Sequence, residues 1–198
     1  MKILPVSIEA VEEAVRIIKN GGIVAHATET CYGFACDLSN PEAVAKLYAL
    51  KERPLELPVS ALFPSVEESK KYVQWNEEAD QLGRQELPGP LTIVLPLKVG
   101  ALSHLGWSSL GVRVSSHPIA LELAEKVGVP LSTTSANLHG QPNPYSVSDI
   151  EEQFSGKDHK PDLILDSGTL DQNTPSTVVA LIDGKVEILR EGSIKPSF

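Results

Sequence analysis

The chain has 198 residues, 41% of them hydrophobic; it can bury a sizeable core and is neither a disulfide-stapled mini-protein nor a disordered tail. Seventeen Lys+Arg against twenty-six Asp+Glu leave a net charge of −9, which argues against broad, sequence-independent nucleic-acid binding but leaves room for a local basic pocket. Two cysteines, Cys31 and Cys36, are too few for a disulfide framework and read as reduced thiols.

Strands and helices alternate along the chain. Residues 2–6 read as a short strand, and Ser7 can cap a helix over about 8–20, because Val11, Ala14, Val15 and Ile18 share one face. Gly21 and Gly22 end it, and residues 22–27 read as a buried strand running into the polar turn Thr28-Glu29-Thr30. Asn40-Pro41 starts a helix whose apolar face is Val44, Leu47 and Tyr48 and which ends near Lys51. Residues 58–63 predict a strand, 66–72 a short helix, 77–86 another helix, 91–97 a strong strand and 111–115 a shorter one. His117-Pro118 opens a helix to about Val127, and residues 130–135 predict the next strand. Strands over 162–166, 176–182 and 185–190 complete the set, with Asp183-Gly184 as a hairpin turn between the last two.

This pattern predicts an α/β fold with a mixed sheet, because at least one pair is antiparallel. No repeat or low-complexity tract divides it, so the expectation is one domain over residues 1–198. No apolar run approaches the roughly 18 residues that a membrane span needs. The opening MKILPVSIEAVEE turns acidic too early for a secretory signal. The expected location is the cytoplasm, with no membrane partner.

Familiar phosphate-binding and nucleophile motifs are missing: no G-x-x-x-x-G-K-[ST], no G-x-G-x-x-G and no G-x-S-x-G occurs. His26, Cys31 and Cys36 lack paired metal-ligand spacing and an obvious fourth ligand. What remains is a set of polar and cationic residues at element ends. Lys51 and Arg53 follow a helix, where the dipole alone would favour them as exposed caps. Arg113, inside the apolar GVRV, needs either an ion-pair partner or a water-filled groove. Ser132 to Asn137 is a dense row of hydroxyls ending in an amide, Ser176-Thr177 opens one strand, and Arg190 closes another. Taken singly, each can be read as structure.

Seven segments in fixed order carry more: ATETCYGFACD (27–37), KERP (51–54), LPGPLTIVL (87–95), GVRV (111–114), TTSANLHGQPNP (133–144), STVV (176–179) and LREGSI (189–194). Together they resemble the YrdC-like family, the threonylcarbamoyl-AMP synthases of tRNA modification, over residues 8–194. The resemblance implies a single-domain twisted mixed sheet flanked by helices, with a concave, positively charged groove. It implies condensation of L-threonine, bicarbonate (or CO2) and ATP into threonylcarbamoyl-AMP and pyrophosphate. Downstream proteins then transfer the threonylcarbamoyl group to adenosine 37 of tRNA (the t6A modification), and the acidic chain itself is expected to bind tRNA only weakly. By the same resemblance, Lys51, Arg53, Ser135, Asn137, Asn143 and Arg190 match nucleotide-binding positions, with Lys51 and Arg53 catalytic. Thr30, Arg113, Thr133 and Ser176 match threonine-binding positions, Arg113 as carboxylate clamp. Mg2+ would arrive with the triphosphate and not in a protein cage.

The chain departs from the family pattern in three places. Ala27 stands where a proline is usual. Leu55-Glu56-Leu57 replaces small or polar residues, so that position 57 could reach a nucleotide only through its backbone. Leu62 stands where longer relatives can carry a histidine. The alternative reading is a YrdC-fold paralogue without synthase activity, acting as an RNA-binding or ribosome-maturation protein. A stripe of basic side chains would favour RNA; convergence of them on one pocket would favour the enzyme.

Overall fold

The computed structural model describes residues 1–196. The chain begins with β1 (Lys2–Pro5), α1 (Ile8–Lys19), β2 (Val24–Ala27) and β3 (Tyr32–Ala35). Next come α2 (Pro41–Lys51), β4 (Ser60–Leu62), α3 (Val66–Ser69), α4 (Glu77–Glu86), β5 (Leu91–Pro96) and β6 (Ser109–Arg113). It closes with α5 (Pro118–Val127), β7 (Leu131–Ser135), α6 (Val147–Gln153), β8 (Leu163–Asp166), β9 (Thr177–Ile182) and β10 (Lys185–Arg190).

Local chemistry explains most of the boundaries. Ser7 caps α1 by accepting from the Ala10 amide, and Asn40 caps α2 by accepting from the Glu42 and Ala43 amides. Asp183 and Gly184 both take positive φ, 53° and 70°, as a two-residue primed hairpin turn requires. Two elements were not expected. β3 follows a turn with no glycine pair; the Thr28 hydroxyl closes it, accepting from the Thr30 and Cys31 amides and donating to the Cys31 carbonyl. Helix α6 is short, but Ser146 and Asp149 form a reciprocal capping box and Ile150 is buried beneath it. Helix α3 ends at Ser69, short of the expected Tyr72, as the Ser69 hydroxyl donates to the Val66 carbonyl and receives Trp75 Nε1.

The ten strands form one mixed sheet in the order β1-β8-β2-β3-β7-β4-β6-β5-β9-β10. β8 pairs in parallel with β1 and β2, β4 with β6, and β5 with β9; the other pairs are antiparallel. β7 lies in the middle, antiparallel to both β3 and β4. One apolar core joins α1 and α5 to Val24, Ala35, Leu62 and Leu131; a larger one gathers α2, α4 and Phe154 against Phe34, Ile93 and Val112. Position 62 therefore belongs to the core. No helix among the described residues is long and apolar enough to cross a membrane.

His26 is fully buried in β2. Its Nδ1 lies 3.0 Å from the Ala27 carbonyl, which fixes that nitrogen as the donor and leaves Nε2 with no partner. Burial pushes its pKa down to about 4, with the nearby His117 and Arg113 charges adding to the fall and Glu29 opposing it. An unfolded histidine titrates near 6.5, so between pH 6.5 and 4 the unfolded chain binds the extra proton and stability falls as pH falls. On urea unfolding at pH 7.5 and 4.5, the parent chain should lose about 2–3 kcal/mol more than His26→Leu. Equal losses would show that His26 does not carry this dependence.

Candidate functional site

A cavity of about 240 Å³ opens where the ends of several strands converge on β7. Three of the chain's five arginines, Arg53, Arg113 and Arg190, line it, together with Thr30, Thr133, Ser135, Asn143 and Ser176. Among the described residues no Asp or Glu lines it. Three cationic side chains thus meet in one place.

The Thr28 turn sets one wall. Thr28 and Thr30 share a hydroxyl–hydroxyl bond of 2.9 Å, which turns Thr30 toward Arg113 at the end of β6. Arg113 Nη2 donates to Thr30 Oγ1 at 3.1 Å and to Glu29 Oε1 at 2.7 Å. The ion pair is nearly buried, with side-chain exposures of 7% for Arg113 and 16% for Glu29. The Ser115 hydroxyl donates to the second Glu29 oxygen. Arg113 thus has the ion-pair partner that burial demands and still lines the cavity; its buried Nε has no partner.

A further part of the lining is built by the last strands. Arg190 Nε donates to the Ser176 carbonyl at 3.0 Å and Nη2 to the Ser176 hydroxyl at 2.9 Å, while Thr92 reaches the same hydroxyl at 3.2 Å. Partial burial and the charge of Arg113 hold the Arg190 guanidinium below its ordinary pKa. Just beyond it the chain folds back onto the start of β9: Ser193 donates to the Pro175 carbonyl, and Thr177 Oγ1 donates to the Ile194 carbonyl at 2.6 Å. Gly192 permits this approach, since a Cβ there would collide with the Pro175 carbonyl and the Thr177 amide.

Lys51 departs from expectation. It is only 2% exposed and does not line the cavity. Its Nζ donates to the Ser135 carbonyl at 2.5 Å, the Asn137 carbonyl at 2.7 Å and Asn137 Oδ1 at 3.0 Å, and lies over the Phe34 ring. Burial and the Arg53 charge push the amine down to about 7. Three acceptors nevertheless match the three N–H groups of the ammonium, and a neutral amine would leave one unmet. Lys51 is a strut beneath the 135–137 turn. Its three donors are all taken up by these oxygens. Asn137, also absent from the cavity wall, is part of the same brace: Ser135 Oγ donates to its Oδ1 at 2.7 Å, and its Nδ2 donates to the Gln141 carbonyl.

Arg53 sits at the mouth. Nε donates to the Leu57 carbonyl and Nη2 to the Pro58 carbonyl, both at 3.0 Å, and Nη1 lies 3.4 Å from His139 Nδ1. The backbone oxygen of position 57 is therefore occupied by Arg53 and by the Tyr48 hydroxyl. The groups missed from the sequence are Glu29, Ser115, Thr28 and Thr92, together with Cys31, a lining thiol whose pKa burial raises. In the sequence Thr28 and Glu29 read only as parts of a polar turn and Cys31 only as a reduced thiol. Among the described residues no group of three or more His, Cys, Asp or Glu could hold a metal ion.

Residues 16–192 match the family model for Sua5, YciO and YrdC proteins, described as telomere recombination. The chain belongs to the Sua5/YrdC family. A Klebsiella pneumoniae relative, threonylcarbamoyl-AMP synthase, is 35% identical over 190 residues, covering 93% of this chain and 96% of the relative. Among solved structures, P. abyssi Sua5 complexed with L-threonine superposes with a TM-score of 0.86 at 31% identity. That match covers 96% of this chain but 56% of the P. abyssi chain, so this Sua5/YrdC protein spans little more than half of that structure. E. coli YciO superposes with a TM-score of 0.83 at 25% identity, covering 97% of this chain and 94% of the other. The fold and the family are those expected from the seven segments.

Proposed function

We propose that this chain is an L-threonylcarbamoyladenylate synthase, using L-threonine, bicarbonate (or CO2) and ATP and releasing pyrophosphate. The observation that carries the reading is the convergence of Arg53, Arg113 and Arg190 with a row of hydroxyls on one cavity. It is supported by family membership, by the K. pneumoniae synthase and by the threonine complex of P. abyssi Sua5.

Attack of a carbamate on the α-phosphate asks the protein for positioning and charge neutralisation more than for covalent chemistry. In this reading Arg53 and Arg190, neither paired with a carboxylate among the described residues, meet the phosphates, with Ser135 and Asn143 at the nucleotide. Arg113 takes the threonine carboxylate beside Thr30, Thr133 and Ser176. Lys51 and Asn137 act by holding the 135–137 turn. No carboxylate lines the cavity among the described residues, so Mg2+ would be held by the triphosphate and its own waters and not by this lining. Bound with the triphosphate, Mg2+ would neutralise charge there. The product is then consumed by separate proteins that carry the threonylcarbamoyl group to tRNA.

The test is one incubation of the pure chain with ATP, bicarbonate and Mg2+ and each amino acid in turn. Pyrophosphate and a carbamoyl-AMP mass should appear only when threonine and bicarbonate are both present. Serine, lacking one methyl group, should be disfavoured by roughly ten- to two-hundred-fold. Equal pyrophosphate release with any amino acid, or with none, would refute the reading.

A further inference from the structure

Glu29 links parts of the cavity that are distant in sequence. Its side chain accepts from Arg113 Nη2 on β6 at 2.7 Å and from Ser115, while its carbonyl accepts from Asn173 Nδ2 at 3.0 Å. Asn173 belongs to the segment that delivers Ser176 to the cavity. Glu29 also divides the charge of the site. It neutralises Arg113, whereas Arg53 and Arg190 have no carboxylate partner among the described residues. Two free cations suit a polyanion. A neutralised arginine that keeps an unpartnered buried Nε suits a single carboxylate. A free arginine side chain has many rotamers to lose on binding, so a pinned Nη2 presents the rest of the guanidinium to ligand already oriented.

We propose, resting on the functional reading above, that Glu29 is a positioning residue of the amino-acid subsite: it holds Arg113 in the orientation that receives the substrate carboxylate. A purely structural ion pair would contribute to stability without distinguishing the two substrates. A positioning role makes the loss specific to the amino acid.

The experiment compares Glu29→Ala, Glu29→Gln and Ser115→Ala with the parent chain. Each is scored for KM of threonine, KM of ATP and kcat, and for calorimetric binding of L-threonine without nucleotide. Glu29→Ala should raise the threonine KM roughly ten-fold or more, the scale of one charge-assisted hydrogen bond, with the ATP KM within about three-fold of the parent. Glu29→Gln keeps an oxygen for Nη2 and an amide for the Ser115 hydroxyl, and should restore threonine binding. Ser115→Ala leaves the ion pair and thus the fold in place and should raise the threonine KM alone, by a smaller factor. An unchanged threonine KM in Glu29→Ala overturns the proposal; if that variant does not fold, an unchanged KM in Ser115→Ala does so. Equal rises in both KM values, or a Gln variant as impaired as Ala, also overturn it. A parent chain without turnover that still binds threonine in a Glu29-dependent way refutes the synthase reading and supports the positioning. Turnover in the parent with threonine binding indifferent to Glu29→Ala does the reverse.

Discussion

Arg113→Ala should weaken threonine binding by roughly ten- to a hundred-fold while leaving ATP binding nearly intact. The magnitude is that of a lost charge-assisted hydrogen bond, about 1.5–3 kcal/mol. The direction follows from geometry: Arg113 is anchored to Thr30 and Glu29, whereas Arg53 is held by the Leu57 and Pro58 carbonyls. The truncation also strands the Glu29 carboxylate in a nearly buried position, and breaking a buried pair can cost about 3–5 kcal/mol of stability. A thermal melt therefore precedes calorimetry. Arg113→Lys keeps the charge but cannot reproduce the forked donor, so it should rescue the fold more fully than threonine binding. Arg53→Ala supplies the contrast, with ATP binding falling by the same factor and threonine binding little affected. Equal losses of both ligands in both variants would return Arg113 to a structural ion pair and remove it from the pocket.

Lys51→Met should lower the unfolding free energy by about 3 kcal/mol, because three buried oxygens lose their donor at once. For a chain of this size that corresponds to a fall in Tm of roughly 6–12 °C. ATP affinity should fall with it, since the Lys51 carbonyl also receives the His139 amide and so ties the 135–139 turn to the helix end that carries Arg53. A phosphate ligand would behave otherwise: ATP affinity would drop at an unchanged Tm. Melting and nucleotide titration on the same preparation distinguish the two.

Much of the framework was legible because apolar spacing and caps are local signals. Ser7, Asn40-Pro41, His117-Pro118 and Asp183-Gly184 announced their elements without reference to the rest of the chain. β3 was missed because its turn is made by a threonine hydroxyl in place of a glycine pair. α6 was missed although Ser146 and Asp149 carry the capping pattern, its seven residues being too few for a clear apolar period. The arginines of the site could be picked out by type and context. Glu29 could not, because its partner lies 84 residues away and nothing in Thr-Glu-Thr distinguishes a buried ion pair from a solvated turn. The surroundings of Lys51 were equally out of reach. A lysine in the last turn of a helix is ordinarily an exposed cap, and only the tertiary fold shows the 135–137 turn laid over it. Strand order was likewise beyond local reading, since β1 and β2 both wait for β8.

That waiting has a consequence for biosynthesis. Lys2 pairs with Leu163 and Val24 with the same residue, so the first strands emerge from the ribosome long before the strand that lies between them. At 5–20 residues per second the gap is about 7–30 s, during which β2 has β3 as its one sheet partner. Pairings of such long sequence separation also fold slowly. The cavity closes later still, because Arg190 and the Gly192 fold-back are among the last residues made. A stalled or truncated nascent chain would carry Thr30, Arg53 and Arg113 without Ser176 and Arg190, exposing apolar strand surface and competing for chaperones before it could hold any small molecule.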